Sequence, residues 1–344
     1  MIKVGCFGGS FDPIHNGHIA VAKYIKKECD LDEIWFIPSK VTPLKTRKLA
    51  DFDLRVKMIN LAIEDEIGLK CVAIEDKLPI PSYTINTVNQ LKKDHPSVSF
   101  YWIIGDDLVN QLSSWKDIDK LYQLIKFIVV SRDSKNIAPD SKFIYKKGIN
   151  INASSSMVKN GDFTILNDRV KSFVFENSLY LKDVVYNNCS EKRALHSISC
   201  KDMALYLSED LDLCKWKVYF ASIMHDICKD MSDEKLKSLI DLEVFEMIKE
   251  KKYLWHAYAA KNWLSNNMQM YDKTIIDAIS AHTDGSDNTQ FGKLIYLSDK
   301  LERSRTFVSE KDIALAKKDL NKAFIKVKSD IKIWEESKIV KRNI

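Results

Sequence analysis

Residues 8–18 read Gly-Gly-Ser-Phe-Asp-Pro-Ile-His-Asn-Gly-His. The stretch follows an apolar, strand-like segment (Met1–Phe7) and opens an amphipathic one (Gly17–Cys29), so it marks a strand-to-helix turn. A helix N-terminus presents unpaired backbone N–H groups and a partial positive charge, which suits a phosphate. Gly8 and Gly9 let backbone approach a ligand closely, and His15 and His18 can donate hydrogen bonds to phosphate oxygens. The competing reading is a tight βα turn capped by Asn16 with two incidental histidines; the adjoining Gly-Gly-Ser-Phe-Asp-Pro weighs against it.

A second group of residues points to a metal. The chain has seven histidines. Two belong to the turn, and His95 stands without a partner in a loop-like stretch. The other four, His196, His225, His256 and His282, fall in the second half, with Asp226 directly after His225 and Asp299 further on. Imidazole and carboxylate ligands suit iron, manganese, zinc or nickel, and no thiolate spacing argues for structural zinc.

The elements that must position these groups divide the chain. In the first half, strand patterns (Ile34–Pro38, Lys70–Glu75, Ser99–Ile104, Lys126–Ser131) alternate with helical ones (Phe52–Glu64, Thr84–Lys93). Such alternation predicts a parallel sheet with helices on both faces. Ligands on such sheets lie beyond the strand C-termini near the switch point, where residues 8–13, Gly105–Asp107 and Ser131–Arg132 can converge. From about residue 186 the strand signals stop. Helical stretches follow at Ser190–Leu207, Lys215–Ile227, Asp233–Lys251, His256–Asn266, Lys273–His282, Gly292–Glu302 and Asp312–Ser337. Two domains are expected, 1–182 and 186–344, the second all-α, with Asp183–Cys189 as the junction.

Composition narrows the setting. The 344 residues are 45% hydrophobic, enough for a core in each half. No apolar run of about 18 residues suggests a membrane span, and no signal-peptide pattern opens the chain. Seven scattered cysteines read as reduced thiols of a cytoplasmic protein. The formal charge of +5 comes with interspersed signs rather than a basic cluster, which argues against a nucleic-acid partner. Assembly into a homo-oligomer is left open.

The turn resembles the hallmark of the nucleotidylyltransferase superfamily, and residues 1–182 resemble its bacterial nicotinate-nucleotide adenylyltransferases. Matching segments are Thr42–Lys45, Pro81–Thr84, Ile103–Trp115, Ser131–Arg132 and Ala153–Lys159. The resemblance implies a Rossmann-like fold and in-line attack of a nicotinate mononucleotide phosphate on the α-phosphorus of ATP, with magnesium accompanying the triphosphate. It assigns catalysis to His15 and His18, and ATP binding to these with Gly8, Gly9, Ser10, Phe11, Gly105, Asp107, Ser154, Ser155, Ser156 and Lys159. Lys45, Tyr83, Thr84, Trp115 and Arg132 would take the nicotinate nucleotide. The family usually has Arg where Lys159 stands, Ile at Ala153 and often Asp at Asn86. A Lys keeps the charge but loses the bidentate fork. Nicotinamide mononucleotide or phosphopantetheine are the rival acceptors.

Residues 186–340 resemble the HD phosphohydrolases, in particular the bacterial symmetrical diadenosine-tetraphosphate hydrolases. The resemblance rests on Arg193–Ser199, Ser222–Asp230, Trp255–Leu264, Ala278–Ser286 and Leu294–Arg305. It implies metal ligation by His196, His225, Asp226, His256, His282 and Asp299, one or two ions (iron first, with manganese, cobalt or zinc as alternatives), and cleavage of diadenosine tetraphosphate into two ADP. Asp226 would be catalytic, and Lys229, Arg303 and Arg305 would contact phosphate. A different nucleotide substrate, or a non-catalytic regulatory module, are the alternatives.

Overall fold

A computed structural model describes residues 1–41, 48–131, 142–148, 151–305 and 309–342. The chain forms two compact units, Met1–Ser156 with Ile165–Lys171, and Met157–Thr164 with Ser172–Ile344. The junction expected at Asp183–Cys189 falls on a helix of the second unit.

The first unit holds strands β1 (Ile2–Gly9), β2 (Glu33–Pro38), β3 (Leu69–Cys71), β4 (Val98–Gly105), β5 (Lys126–Ser131) and β6 (Phe143–Lys147), and helices α1 (Asn16–Glu28), α2 (Phe52–Ile63), α3 (Thr84–Asp94), α4 (Ile118–Leu124) and the start of α5 (Ser155–Lys159). The strands form one sheet in the order β3-β2-β1-β4-β5-β6. Every described pair is parallel. This is a Rossmann-like, doubly wound sheet. Its order reverses at β1 and β4, so a crevice opens beyond the C-terminal ends of those two strands. The strands are near-continuous apolar runs because both faces are covered. On one face Val4, Cys6, Trp35, Ile37, Ile104, Phe127 and Val129 pack with Ile85, Val88 and Leu91 of α3.

The described regular elements of the second unit are all helices, chiefly α6 (Asp168–Glu176, beginning in the first unit), α7 (Leu181–Asn188), α8 (Glu191–Leu207), α9 (Lys215–Met224), α10 (Asp233–Leu239), α11 (Leu242–Ile248), α12 (Trp255–Trp263), α13 (Lys273–Ala281), α14 (Gln290–Leu301), α15 (Glu310–Lys318) and α16 (Leu320–Arg342). The helix expected over Asp233–Lys251 is two helices. Asn262 Nδ2 donates to the Leu239 carbonyl that ends α10 and, at 2.9 Å, to the Asp241 carboxylate that precedes α11. The long helix expected from Asp312 also breaks, at Asp319, whose carboxylate accepts from Lys322 N at 3.0 Å and so caps the start of α16. No described helix is long and apolar enough to cross a membrane.

Candidate functional site

A cleft of about 550 Å³ opens at the switch point of the first unit. Gly8, Gly9, Ser10 and Phe11 form one wall with His15 and His18. Gly105 and Asp107 come from the end of β4, and Ser154 and Ser155 from the start of α5. Residues more than a hundred positions apart are thus brought to one crevice.

The histidine turn is built from its own backbone. His15 precedes α1 in extended conformation (φ −144°, ψ 168°). Its N–H donates to His18 Nδ1 at 3.2 Å. An Nδ1 that accepts leaves the proton of a neutral imidazole on Nε2, so His18 presents Nε2–H as a donor. The ring is held flat: His15 stacks on it at 3.7 Å between centroids and 28°, and Phe11 meets it edge-on at 5.1 Å. Gly8 is dictated by packing, since a Cβ there would lie 2.7 Å from the Trp102 ring.

Arg55 of α2, 1% exposed, fixes the loop from below. It donates to the Ser10 carbonyl at 2.7 Å and the Ala50 carbonyl at 2.9 Å, while Ala50 N donates to Asp12 at 3.1 Å. Ser155 Oγ ties α5 to the same loop through the Pro13 carbonyl at 2.8 Å. Arg55→Met should therefore destabilise the protein by about 3 kcal/mol, because two carbonyls lose a charged donor. A lower melting temperature is the expected reading; an unchanged one would show that Arg55 does not set the loop.

Tyr83, Thr84 and Trp115 do not line that cleft; Tyr83 and Trp115 pack against the same core cluster. Tyr83 precedes α3, which Thr84 opens. Trp115 packs edge-on against Phe127 at 6.3 Å. Lys116 holds its ammonium 4.7 Å from the Tyr83 ring centroid, which links the two segments and adds a cation the sequence reading did not single out. Ser156 continues α5. Lys159 is buried in the second unit with its ammonium 5.0 Å from the Tyr180 ring. Lys45 and Arg132 lie outside the described residues.

In the second unit the six expected ligands meet in one buried cluster. His196 comes from α8, His225 and Asp226 from the end of α9, His256 from α12, His282 from the end of α13 and Asp299 from α14. Asp226 stands at the centre. Its Oδ1 lies 3.2 Å from His256 Nε2 and 3.3 Å from His282 Nε2. Its Oδ2 faces His225 Nε2 at 3.6 Å and His196 Nε2 at 3.8 Å. Asp299 Oδ1 is 3.1 Å from His196 Nε2 and 3.8 Å from His225 Nε2.

Ring protons show that the cluster fits a cation. His225 Nδ1 is 2.7 Å from the Ser222 carbonyl and His282 Nδ1 is 2.6 Å from the Ile279 carbonyl. Each must donate there, which leaves lone pairs on Nε2 aimed inward. Burial pushes His225 down to about 3 and His256 down to about 4, so both rings are neutral near pH 7. His225 Nε2 is buried with no hydrogen-bond partner among the described residues. An acceptor nitrogen of His282 facing a carboxylate oxygen at 3.3 Å is favourable only around a shared proton or metal ion. Burial works against the charge on Asp299, yet Lys300, His196, His225 and Arg305 outweigh it and hold the carboxyl well below the usual range.

Cations surround the centre. Arg193 donates to Asp226 Oδ2 at 2.5 Å, Arg305 to Asp299 Oδ1 at 2.5 Å and Lys300 to Asp299 Oδ2 at 2.7 Å. Lys229 Nζ sits 3.1 Å from His256 Nε2, and burial pushes its ammonium down. Arg303 is exposed. Arg193 and Lys300 were not singled out from sequence, although Arg193 lies one turn before His196 and so on its face. Glu302, also missed, is buried with Oε1 3.3 Å from His196 Nδ1, and it accepts from Ser199 Oγ at 2.7 Å.

Two family models match. One, described as cytidylyltransferase-like, covers residues 6–161, and one, described as HD domain, covers 193–304. Over 188 residues the chain is 36% identical to the "Nicotinate-nucleotide adenylyltransferase" of Bacillus subtilis, covering 52% of this chain and 99% of that protein. A Bacillus licheniformis relative named "Probable nicotinate-nucleotide adenylyltransferase" is 40% identical over 187 residues, again 52% of this chain and 99% of the relative. A Mycoplasma genitalium protein named "Probable nicotinate-nucleotide adenylyltransferase/Ap4A hydrolase" matches along 94% of this chain and 96% of its own length at 28% identity.

Proposed function

Because the chain belongs to the nicotinate-nucleotide adenylyltransferase family and carries an HD domain, we propose that it is a cytoplasmic bifunctional enzyme. Within residues 1–182 it transfers AMP from ATP to nicotinate mononucleotide, releasing pyrophosphate and forming nicotinate adenine dinucleotide. Within residues 186–344 it hydrolyses diadenosine tetraphosphate symmetrically to two ADP. The observation that carries this reading is the presence on one chain of two separately built sites: a cleft with a fixed Nε2–H donor at His18 and a buried histidine–aspartate centre organised around Asp226.

In the transfer reaction the acceptor phosphate attacks the α-phosphorus in line and pyrophosphate leaves. The protein's part is positioning and neutralisation of charge. His18 Nε2–H donates to the reacting phosphate and His15 to its neighbour. Gly8, Gly9, Ser10 and Phe11 shape the triphosphate wall. Gly105 and Asp107 close it on the adenosine side, with the Ser154 and Ser155 hydroxyls opposite. Ser156 is assigned to the β- and γ-phosphates, with magnesium held chiefly by ATP and water. The start of α3 at Tyr83–Thr84 offers N–H groups to the nicotinate carboxylate, and Trp115 stacks on the pyridine ring. Lys45 and Arg132 complete the acceptor side.

In the hydrolytic reaction His196, His225, Asp226, His256, His282 and Asp299 hold one or two divalent ions, iron first among the candidates with manganese, cobalt or zinc as alternatives. Such ions supply Lewis acidity to the phosphoanhydride and to water. Lys229 and Arg305 neutralise the non-bridging oxygens of the bound polyphosphate, and Arg193 keeps the Asp226 carboxylate in place.

The test uses the full chain, stripped of metal and reloaded separately with ferrous iron, manganese or cobalt. It should make the dinucleotide from nicotinate mononucleotide faster than from the nicotinamide form. It should also yield only ADP from diadenosine tetraphosphate. A preference for the amide would refute the acceptor, and cleavage of another nucleotide with none of the tetraphosphate would refute the hydrolase substrate.

A further inference from the structure

The histidines of the second unit are oriented in two different ways. His225 and His282 end their helices, and each Nδ1 donates to the carbonyl three residues back, at 2.7 and 2.6 Å. His196 stands inside α8, where the carbonyls behind it are committed to the helix ladder. Its Nδ1 reaches out of the helix instead, to Glu302 Oε1 at 3.3 Å. Cys200 Sγ, 3.8 Å from Nδ1 and 3.5 Å from Nε2, rests against the flank of the ring. Among the described residues Glu302 is thus the polar group that meets Nδ1.

The surroundings of Glu302 suit it to this contact. It follows the last residue of α14 and is 1% exposed. Ser199 Oγ at 2.7 Å and Ser304 N at 2.8 Å donate to Oε2, and Ser304 Oγ donates to Oε1 at 2.6 Å. Arg305 Nε lies 3.8 Å from Oε1. An ionised carboxylate only accepts, so a neutral His196 paired with it carries its proton on Nδ1 and keeps a lone pair on Nε2. That nitrogen faces the middle of the cluster, 3.1 Å from Asp299 Oδ1 and 3.8 Å from Asp226 Oδ2. One end of α14 therefore supplies a carboxylate to each end of the same ring, Asp299 to Nε2 and Glu302 to Nδ1.

We propose that Glu302 is a positioning residue of the hydrolytic centre: it fixes the Nδ1–H tautomer of His196 and so commits Nε2 to the metal. A carboxylate behind an imidazole also raises the basicity of the ligating nitrogen. The inference rests on the reading of this cluster as a metal centre.

The near-isosteric Glu302→Gln separates this role from a merely structural one. Ser304 N–H can only donate, so it holds the amide oxygen at the Oε2 position. The amide nitrogen then takes the Oε1 position and donates to His196 Nδ1. The ring must accept there and carry its proton on Nε2, where it opposes a metal. Full-length protein is freed of metal and titrated with manganese(II), and the bound ion is counted by elemental analysis. Glu302→Gln should bind manganese at least about tenfold more weakly than wild type, while its metal-free form melts where wild type does. Ser199→Ala, which leaves the carboxylate in place, should lose less. In zinc-loaded wild type, nitrogen-15 NMR of the imidazoles should show His196 protonated on Nδ1. That measurement decides the matter even where the glutamine variant does not fold. Equal manganese binding by Glu302→Gln and wild type, or a His196 whose Nδ1 carries no proton, would overturn the role of Glu302 and leave the metal centre standing. A wild type that binds neither manganese nor zinc would overturn the centre itself, and the role with it.

Discussion

Asp226→Ala abolishes hydrolysis of diadenosine tetraphosphate, by about 10³-fold or more, and leaves synthesis of nicotinate adenine dinucleotide at the wild-type rate. The size of the effect follows from what Asp226 joins. One carboxylate reaches His256 and His282 through Oδ1 and faces His196 and His225 through Oδ2. Its removal takes the only charge from the Asp226, His256 and His282 group and leaves two ring nitrogens with no acidic partner between them. Arg193 loses its partner as well, and an ammonium at Lys229 stays 3.1 Å from His256 with less negative charge to offset it. The metal content of the purified variant should therefore fall together with the rate. Asp226→Asn, which keeps the shape but not the charge, should fall nearly as far. Both activities are measured on one preparation, so an intact transferase rate shows that the loss is not general unfolding. Hydrolysis within a factor of two of wild type would remove Asp226 from the reaction.

How much of this was legible in the sequence depended on how local the signal was. The inner strands announced themselves because they are apolar on both faces: Ile34–Pro38 and Lys126–Ser131 read correctly as buried runs. The edge strand β6 did not, since every residue of Phe143–Lys147 is half-buried or exposed and the segment has no uniform apolar character. At the other edge the segment Lys70–Glu75 is a three-residue strand, Leu69–Cys71, followed by a helical turn at Ile74–Lys77. The helix break at Asp241 depends on Asn262, 21 residues away, so periodicity alone could not place it.

The sites show the same division. Histidines are few enough that their type stood out, with Asp226 marked by its place directly after His225, and the structure gathers the four histidines of the second unit with Asp226 and Asp299 in one cluster. The groups around them did not stand out. Arg193 and Cys200 flank His196 at one helical turn on either side and were within reach of a helical-face argument. Glu302 orients His196 across 106 positions of sequence, a juxtaposition that only the packing of α8 and α14 creates. Arg55 likewise reads as a solvated helix charge in sequence, and its role appears only once its guanidinium is seen beneath the Ser10 carbonyl.

His18→Ala should lower kcat for dinucleotide synthesis by about 10²–10³, the loss expected when one preorganised donor to a developing negative charge is removed. The KM for ATP should change much less, because the donor matters most in the transition state. The reasoning starts from the backbone. The His15 N–H occupies His18 Nδ1 at 3.2 Å, which sets the tautomer before any substrate arrives. Stacking on His15 at 3.7 Å and the edge of Phe11 at 5.1 Å remove the freedom to turn that donor away. Reorganisation that a solvent-exposed histidine would undergo during the reaction is thus completed on folding. His15→Ala should show a related but different pattern: it deletes one donor and the stacking face together, so both kcat and KM should worsen. Steady-state rates for both variants, with hydrolysis of diadenosine tetraphosphate as the internal control, check the argument. A His18→Ala enzyme with kcat near wild type would mean that the turn binds phosphate without acting on the step that transfers it.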